Sequence, residues 1–371
     1  MRLPAVHQDG EPVGHQPLDD GLPDAGPPRR PGDQRHPPGP VPAHLVIVDH
    51  PHGSRPAGSI RPDTDRAGLL THDHPRWKQV GVALSLVAAA RSHTGPRPDN
   101  QDSGLAAPAL IAVADGVGGN VGGAVASSLI VSWLAPLGRV LLPDEVDGGL
   151  ARVVSAANER IRTAVGHRPR LEGMATTMSA IGVVGDRAVL AHIGDSRAYR
   201  WRSPELVQLT RDHTLVQALI DAGSITPAEA LVHPQRSAVY AALHGGTDDV
   251  DGLEVSFVDV LPGDRLLVCS DGLSGALPPE AIAEHLALAE NPDQAAATLL
   301  GAALAAPASD NVTVVVADVQ ETEGAVVGRH RTVGAAANSR DETVEVLEAL
   351  WPGPSTGAFT PVAAVEEQPA G

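Results

Sequence analysis

Four aspartates of this chain stand where apolar runs end or begin: Asp115 in VADGVGG, Asp195 in HIGDSR, Asp271 in CSDGL and Asp310 in SDNVT. Asp-Gly is by itself a turn dipeptide, and any one of these acids could serve a turn. Asn or Ser would serve turns as well, so the repeated choice of Asp argues for a task that needs charge. Clustered carboxylates repel one another and persist only around protons or cations. Oxygen ligands without His or Cys favour hard divalent ions, Mg²⁺ or Mn²⁺, over zinc. Gly116, with no side chain, leaves its carbonyl free to turn toward an ion that Asp115 also holds.

Phosphate chemistry would also need an anion site. RSHTGPRPDNQD, residues 91–102, supplies Arg97 five residues before Asp102 in a Gly/Pro loop. A guanidinium fork matches phosphate oxygens bidentately.

The elements that must position these groups can be read from apolar runs bounded by Gly, Asp and Ser. Residues 80–90, 110–115, 187–195, 264–271 and 311–319 read as strands. Residues 124–142 and 150–165 read as helices, and two capping boxes open further ones: Thr226-Pro227 with Glu229, and Asn291-Pro292 with Gln294. Strands that follow one another through tight turns such as Gly185-Asp186 favour antiparallel sheet covered by helices over a βαβ alternation.

The chain has 371 residues, enough for one large domain. Residues 1–78 are dense in Pro, Gly, His and Arg without a helical or strand period, which predicts a disordered tail. Such a tail also fits a chain whose native start lies near Val80 or Val82. Residues 79–321 carry the domain, and 322–371 return to small and polar residues, predicting a second disordered tail in which only TVEVLEALW (343–351) could form an amphipathic turn. The net charge of −18 argues against nucleic acid as a partner, because a phosphate backbone is bound through Lys and Arg. The longest early apolar run, residues 80–90, is shorter than the roughly 20 residues needed to span a bilayer, so no membrane segment is expected. A lone cysteine, Cys269, fits a reducing cytoplasm and a buried strand position.

The motifs RPDNQD, VADGVGG, TTMSA, IGDSRA, CSDGL and SDNVT occur in an order that resembles the metal-dependent PPM (PP2C-type) serine/threonine protein phosphatases, their bacterial branch above all. The resemblance implies an α+β fold, an αββα sandwich of two antiparallel β-sheets flanked by helices. It implies Mn²⁺ or Mg²⁺, two ions with a third bound more weakly. Asp115 would bridge two ions, the Gly116 carbonyl would bind one, Asp271 and Asp310 the other, and Asp195 with Asp271 the third. Asp102 would act through metal-bound water and Arg97 would hold the phosphate. The implied reaction is hydrolysis of phosphoserine or phosphothreonine by a metal-bridging hydroxide, on phosphoprotein substrates of a cognate Ser/Thr kinase, by a cytoplasmic monomer. Residues 211–245 resemble the family's mobile flap region.

Two positions depart from the pattern: Gln101 stands where an acid is usual, and Val117 where eukaryotic members carry a histidine. Gln101 keeps open an alternative, a catalytically weakened domain that only binds phosphoproteins. A P-loop reading of the glycines fails, since no Gly-Lys-Ser/Thr follows and Lys78 is the only lysine.

Overall fold

The run LIAVA in residues 110–114 shows how the fold is built. Leu110, Ala112 and Ala114 face one apolar cluster and Ile111 and Val113 face another. A strand alternates faces residue by residue, so an unbroken apolar run means burial on both sides. In the computed structural model, residues 46–47, 82–117, 122–138, 149–306, 309–323 and 328–337 are described.

One sheet orders its strands β1 (Val46–Ile47), β9 (Glu205–Gln208), β8 (Arg197–Arg202), β11 (Arg265–Cys269), β12 (Val312–Glu323) and β2 (Val82–His93). The other orders β10 (Glu254–Val258), β7 (Arg187–Ile193), β6 (Met178–Val184), β4 (Leu110–Val117), β3 (Asp102–Ala106) and β13 (Arg331–Gly334), with β5 (Ala175–Thr176) pairing β4. Every pairing is antiparallel except that of β1 with β9. Leu86, Ile111, Val113, Ile181, Val268 and Val315 meet between the sheets. Outside the second sheet pack α1 (Gly122–Leu134) and α2 (Gly149–His167); outside the first pack α5 (Asp271–Ser274), α6 (Pro279–Leu288) and α7 (Pro292–Ala305). The αββα sandwich of two antiparallel sheets is therefore present, with each buried Leu, Ile or Val side chain contributing about 1.5–3 kcal/mol.

Three sequence expectations need correction. The helix expected over 124–142 ends at Leu134, ahead of Pro136, which lacks the N–H a helix would need and restricts the residue before it. Of the two capping boxes only the first closes. Thr226 and Glu229 bond reciprocally, whereas Asn291 caps Gln294 N while the Gln294 side chain accepts from Glu290 N. The domain also reaches past its expected limits of 79 and 321. Val46–Ile47 bridges β9, β12 runs to Glu323, and Arg331–Gly334 adds a strand to β3, because the β-branched pair Thr332-Val333 can place Val333 between the sheets. The segment 343–351 lies outside the described residues.

Candidate active site

The pairing brings the acids together. Asp102 opposes Asp115, Met178 opposes Ile193, Cys269 opposes Val314 and His93 opposes Val312. Thus β2, β4, β7 and β11 end, and β3, β6 and β12 begin, at one end of the sandwich. A cleft of about 450 Å³ opens there, and Arg97, Asp115, Gly116, Asp195, Asp271 and Asp310 line it. A similar cavity of about 460 Å³, between Trp201, Gly263 and Gln320, holds none of these residues, and its Arg265 is tied to Asp318.

Asp102 is fully buried instead of lining the cleft. Its Oδ2 accepts a hydrogen bond from Ser270 Oγ (2.7 Å), a residue of the opposite sheet's edge of the site. Burial pushes the Asp102 carboxyl up to about 7, against the pull of Ser270 and Thr313 and with the charges of Asp271 and Asp310 adding to the rise. Burial, then the charges of Asp271 and Asp212, raise Asp195 to about 7 as well. Asp115 is raised well above the usual carboxylate range by burial and by Asp102, Asp271, Asp195 and Asp310 together. Asp271 rises through burial and Asp310, offset by a hydrogen bond with Asp115. Two carboxyls in such contact share a proton or an ion in its place. Arg97 donates to Ser309 O (3.0 Å) and to Asp310 Oδ2 (2.7 Å), so its guanidinium sits against the acid that opens β12.

Whether these residues suit a divalent cation can be judged from the donors. Asp102 Oδ1 and Asp271 Oδ1 are buried without a hydrogen-bond partner, a costly state that a cation would relieve. Every acidic donor is a hard oxygen. The two orphaned oxygens and the hard-oxygen donors fit a divalent cation, although among the described residues no three His, Cys, Asp or Glu side chains already stand together as a metal-holding group. The glycines after Asp115 have a packing reason besides any ligand role. A Cβ on Gly116 would stand 2.1 Å from Gly123 O and 2.6 Å from Gln101 O, and one on Gly123 would stand 2.7 Å from Gly116 O. The start of α1 can lie on β4 only because both positions are bare.

Several supporting residues carry no role in the sequence reading although their motifs stand out. Thr177 N donates to Asp115 O (2.9 Å), Asp115 N donates to Thr177 Oγ1 (3.2 Å), and Thr176 Oγ1 donates to Asp115 O (2.9 Å). The TTMSA motif thus fixes the backbone of Asp115. Asn311 Nδ2 donates to Thr94 O (2.7 Å) and Asp99 O (2.9 Å) while its Oδ1 accepts from Gln101 N (2.8 Å), which staples the Arg97 loop to β12. Asp99, Ser237 and Val239 also line the cleft.

Three consecutive residues join the Asp195 loop to residues 211–245. Arg211 O bonds His192 Nε2 (2.9 Å), Asp212 takes a bidentate grip from Arg197 (2.9 and 2.7 Å), and His213 Nδ1 accepts from Gly194 N (3.2 Å). Burial and His213 lower His192 to about 4. Beyond this root, α3 (Leu215–Asp221) and α4 (Pro227–Leu231) bury little, and Tyr240 N returns to His213 O (2.9 Å). His213, His233 and His244 do not line the cleft, and Cys269 is a buried strand residue with its thiol pushed up to about 12 by burial.

The family described as Protein phosphatase 2C matches residues 90–297. Serine/threonine protein phosphatase PstP of Mycobacterium tuberculosis is 43% identical over 267 residues, which cover 70% of this chain and 50% of that protein. The chain thus spans about half the length of that relative. Serine/threonine phosphatase stp of Listeria monocytogenes is 32% identical over 219 residues, 58% of this chain and 86% of that protein. The crystal structure of M. tuberculosis PstP/Ppp matches with TM-score 0.61 and 44% identity over 64% of this chain and 99% of that one. The catalytic domain of PstP in complex with two manganese ions matches with TM-score 0.59 and 42% identity, over 64% of this chain and 99% of that one. With its match spanning more than half of the sequence and its sandwich shared with these structures, the chain belongs to the protein phosphatase 2C family.

Proposed function

We propose that the protein is a metal-dependent phosphatase that hydrolyses phosphoserine and phosphothreonine in proteins. The observation that carries this reading is the cleft in which Asp115, Asp195, Asp271 and Asp310 stand with Arg97. In the proposal Asp115, the Gly116 carbonyl, Asp271 and Asp310 hold two Mn²⁺ or Mg²⁺ ions, and Asp195 with Asp271 holds a third. Bound ions of this kind supply Lewis acidity and activate water at neutral pH. Arg97 orients the phosphoryl group by its guanidinium fork. Asp102, with Oδ1 unpartnered, orders the attacking water from beneath the cleft. Val117 and Val239 give the cleft an apolar side against which residues flanking the phosphoamino acid can lie.

The reading extends to cytoplasmic phosphoproteins made by a cognate serine/threonine kinase, acted on by a monomer. Among the described residues no helix is long and apolar enough to cross a membrane. The test is hydrolysis of p-nitrophenyl phosphate and phosphothreonine peptides by the full chain, first in EDTA and then with Mn²⁺ or Mg²⁺ added. Activity should vanish in chelator and return with metal; full activity in chelator refutes the reading. Tight binding of phosphopeptides with Mn²⁺ present and no hydrolysis would favour the weakened domain that Gln101 suggests.

A further inference from the structure

Residues 328–337 lie past the family match, which ends at 297, yet they pack into both faces of the second sheet. Val333 is buried between the sheets and Ala336 packs against the α1 side. Gly104 makes room for the first contact, because a Cβ there would stand 2.8 Å from Val333 Cγ2. At the end of the strand, Gly334 has φ +72° and approaches so near that a Cβ would stand 2.2 Å from Asp102 O. Ala335 N donates to Asp102 O (2.7 Å) and Ala336 N to Ser103 Oγ (3.1 Å). Ser103 Oγ bonds Ser127 Oγ (3.0 Å), and Ser127 Oγ donates to Gln101 O (2.6 Å), the carbonyl that also receives Gly116 N (3.2 Å). A continuous hydrogen-bonded path therefore runs from residues 335–336 to the backbone of Gln101, Asp102 and Gly116.

We propose that β13 and the two residues after it are a positioning element of the active site, which holds the backbone of Asp102 beside Asp115 and thereby sets the cation affinity of the acid cluster. The inference rests on the metal reading given above. The hydroxyls of Ser270 and Thr313 bear on the Asp102 carboxyl while its Oδ1 has no partner, so the placement of that oxygen depends on the Asp102 backbone. β3 would be an edge strand without β13. β13 is short, four residues, so the hydrogen bonds it lends to β3 can open locally.

Gly334→Ala in the full chain tests this, since the new Cβ must displace either the strand or Asp102 O. In the metal-free variant, amide hydrogen exchange over residues 102–106 should speed up at least about tenfold while residues 178–193 keep the wild-type rate, a local opening. Calorimetric titration with Mn²⁺ alone should give a dissociation constant about tenfold higher, a change of about 1.4 kcal/mol. Should Gly334→Ala fail to fold, Ala335→Pro removes the donor to Asp102 O, while also fixing the backbone at 335 and restricting Gly334, and carries the same expectations. Wild-type exchange at 102–106 together with wild-type Mn²⁺ affinity overturns the proposal, as does exchange that accelerates equally in residues 178–193. Exchange in metal-free protein needs no catalysis, so an inactive wild-type chain would sink the phosphatase reading and leave this measurement standing.

Discussion

Asp115 and Asp271 approach each other across the seam between the two sheets, and each is held above the ordinary carboxylate range by burial and by neighbouring acids. A site built this way serves function against stability. Asp271→Asn should therefore act in opposite directions. Turnover with Mn²⁺ should fall at least about 10²-fold, as for loss of a main electrostatic stabiliser. The melting temperature in EDTA should rise, because one of several mutually repelling buried charges is gone. A variant that loses activity and also melts lower in EDTA would mean that Asp271 is a structural residue. At this scale the gathering of the four acids in one cleft was legible, since all four stand at the ends of apolar runs. Thr177 and Asn311 were not, because they act by bonding backbone atoms that become neighbours only once Asp115 meets Thr177 and Asn311 meets the Arg97 loop.

The element next to the site, residues 211–245, is tied down at its root and lightly packed beyond it. Arg236 is its only cleavage site for trypsin beyond Arg211, and it is exposed. If the Arg197–Asp212 grip sets the position of this segment, Asp212→Asn should speed tryptic cleavage after Arg236 at least about fivefold, by loss of one partner in a bidentate charged pair. Unchanged cleavage would mean that the segment is held by its own turns. The same variant should raise KM for a phosphothreonine peptide more than for p-nitrophenyl phosphate, because Ser237 and Val239 of this segment line the cleft and only the peptide reaches along it. Elements with strong apolar runs, such as β4, β7 and β12, were legible from sequence. β3, reading DSGLA, offers no β-branched residue and was not. β13 was hidden because four residues in a polar, alanine-rich stretch give too short a pattern, and its reason to form is the bare edge of β3, a fact of topology.

For the whole molecule, the acid cluster makes stability a function of pH and metal together. Asp102 and Asp195 stand at about 7 in the folded, metal-free chain, against 3.8 for an ordinary aspartate. Between those values the unfolded chain has released protons that the folded chain keeps, so stability falls as pH rises. The contribution is fully present below about 4 and is lost as pH climbs through about 7, at up to about 1.4 kcal/mol per pH unit for each proton. His192 works the other way. Lowered to about 4 from 6.5, it contributes stability that is lost as pH falls through that window, but it offsets one proton against two. The melting temperature in EDTA should therefore decline from pH 5 to 7.5, at a near-steady slope up to about 6.5 and more gently above about 7, where Asp102 and Asp195 release their protons in the folded chain as well. High salt isolates the effect, since it screens exposed charges of a chain at −18 far more than buried ones. Mn²⁺ needs deprotonated ligands, so its stabilisation should grow over the same interval and the EDTA and Mn²⁺ curves should diverge as pH rises. Parallel curves, or a metal-free midpoint that rises with pH, would show that the four aspartates neither share protons nor exchange them for a cation.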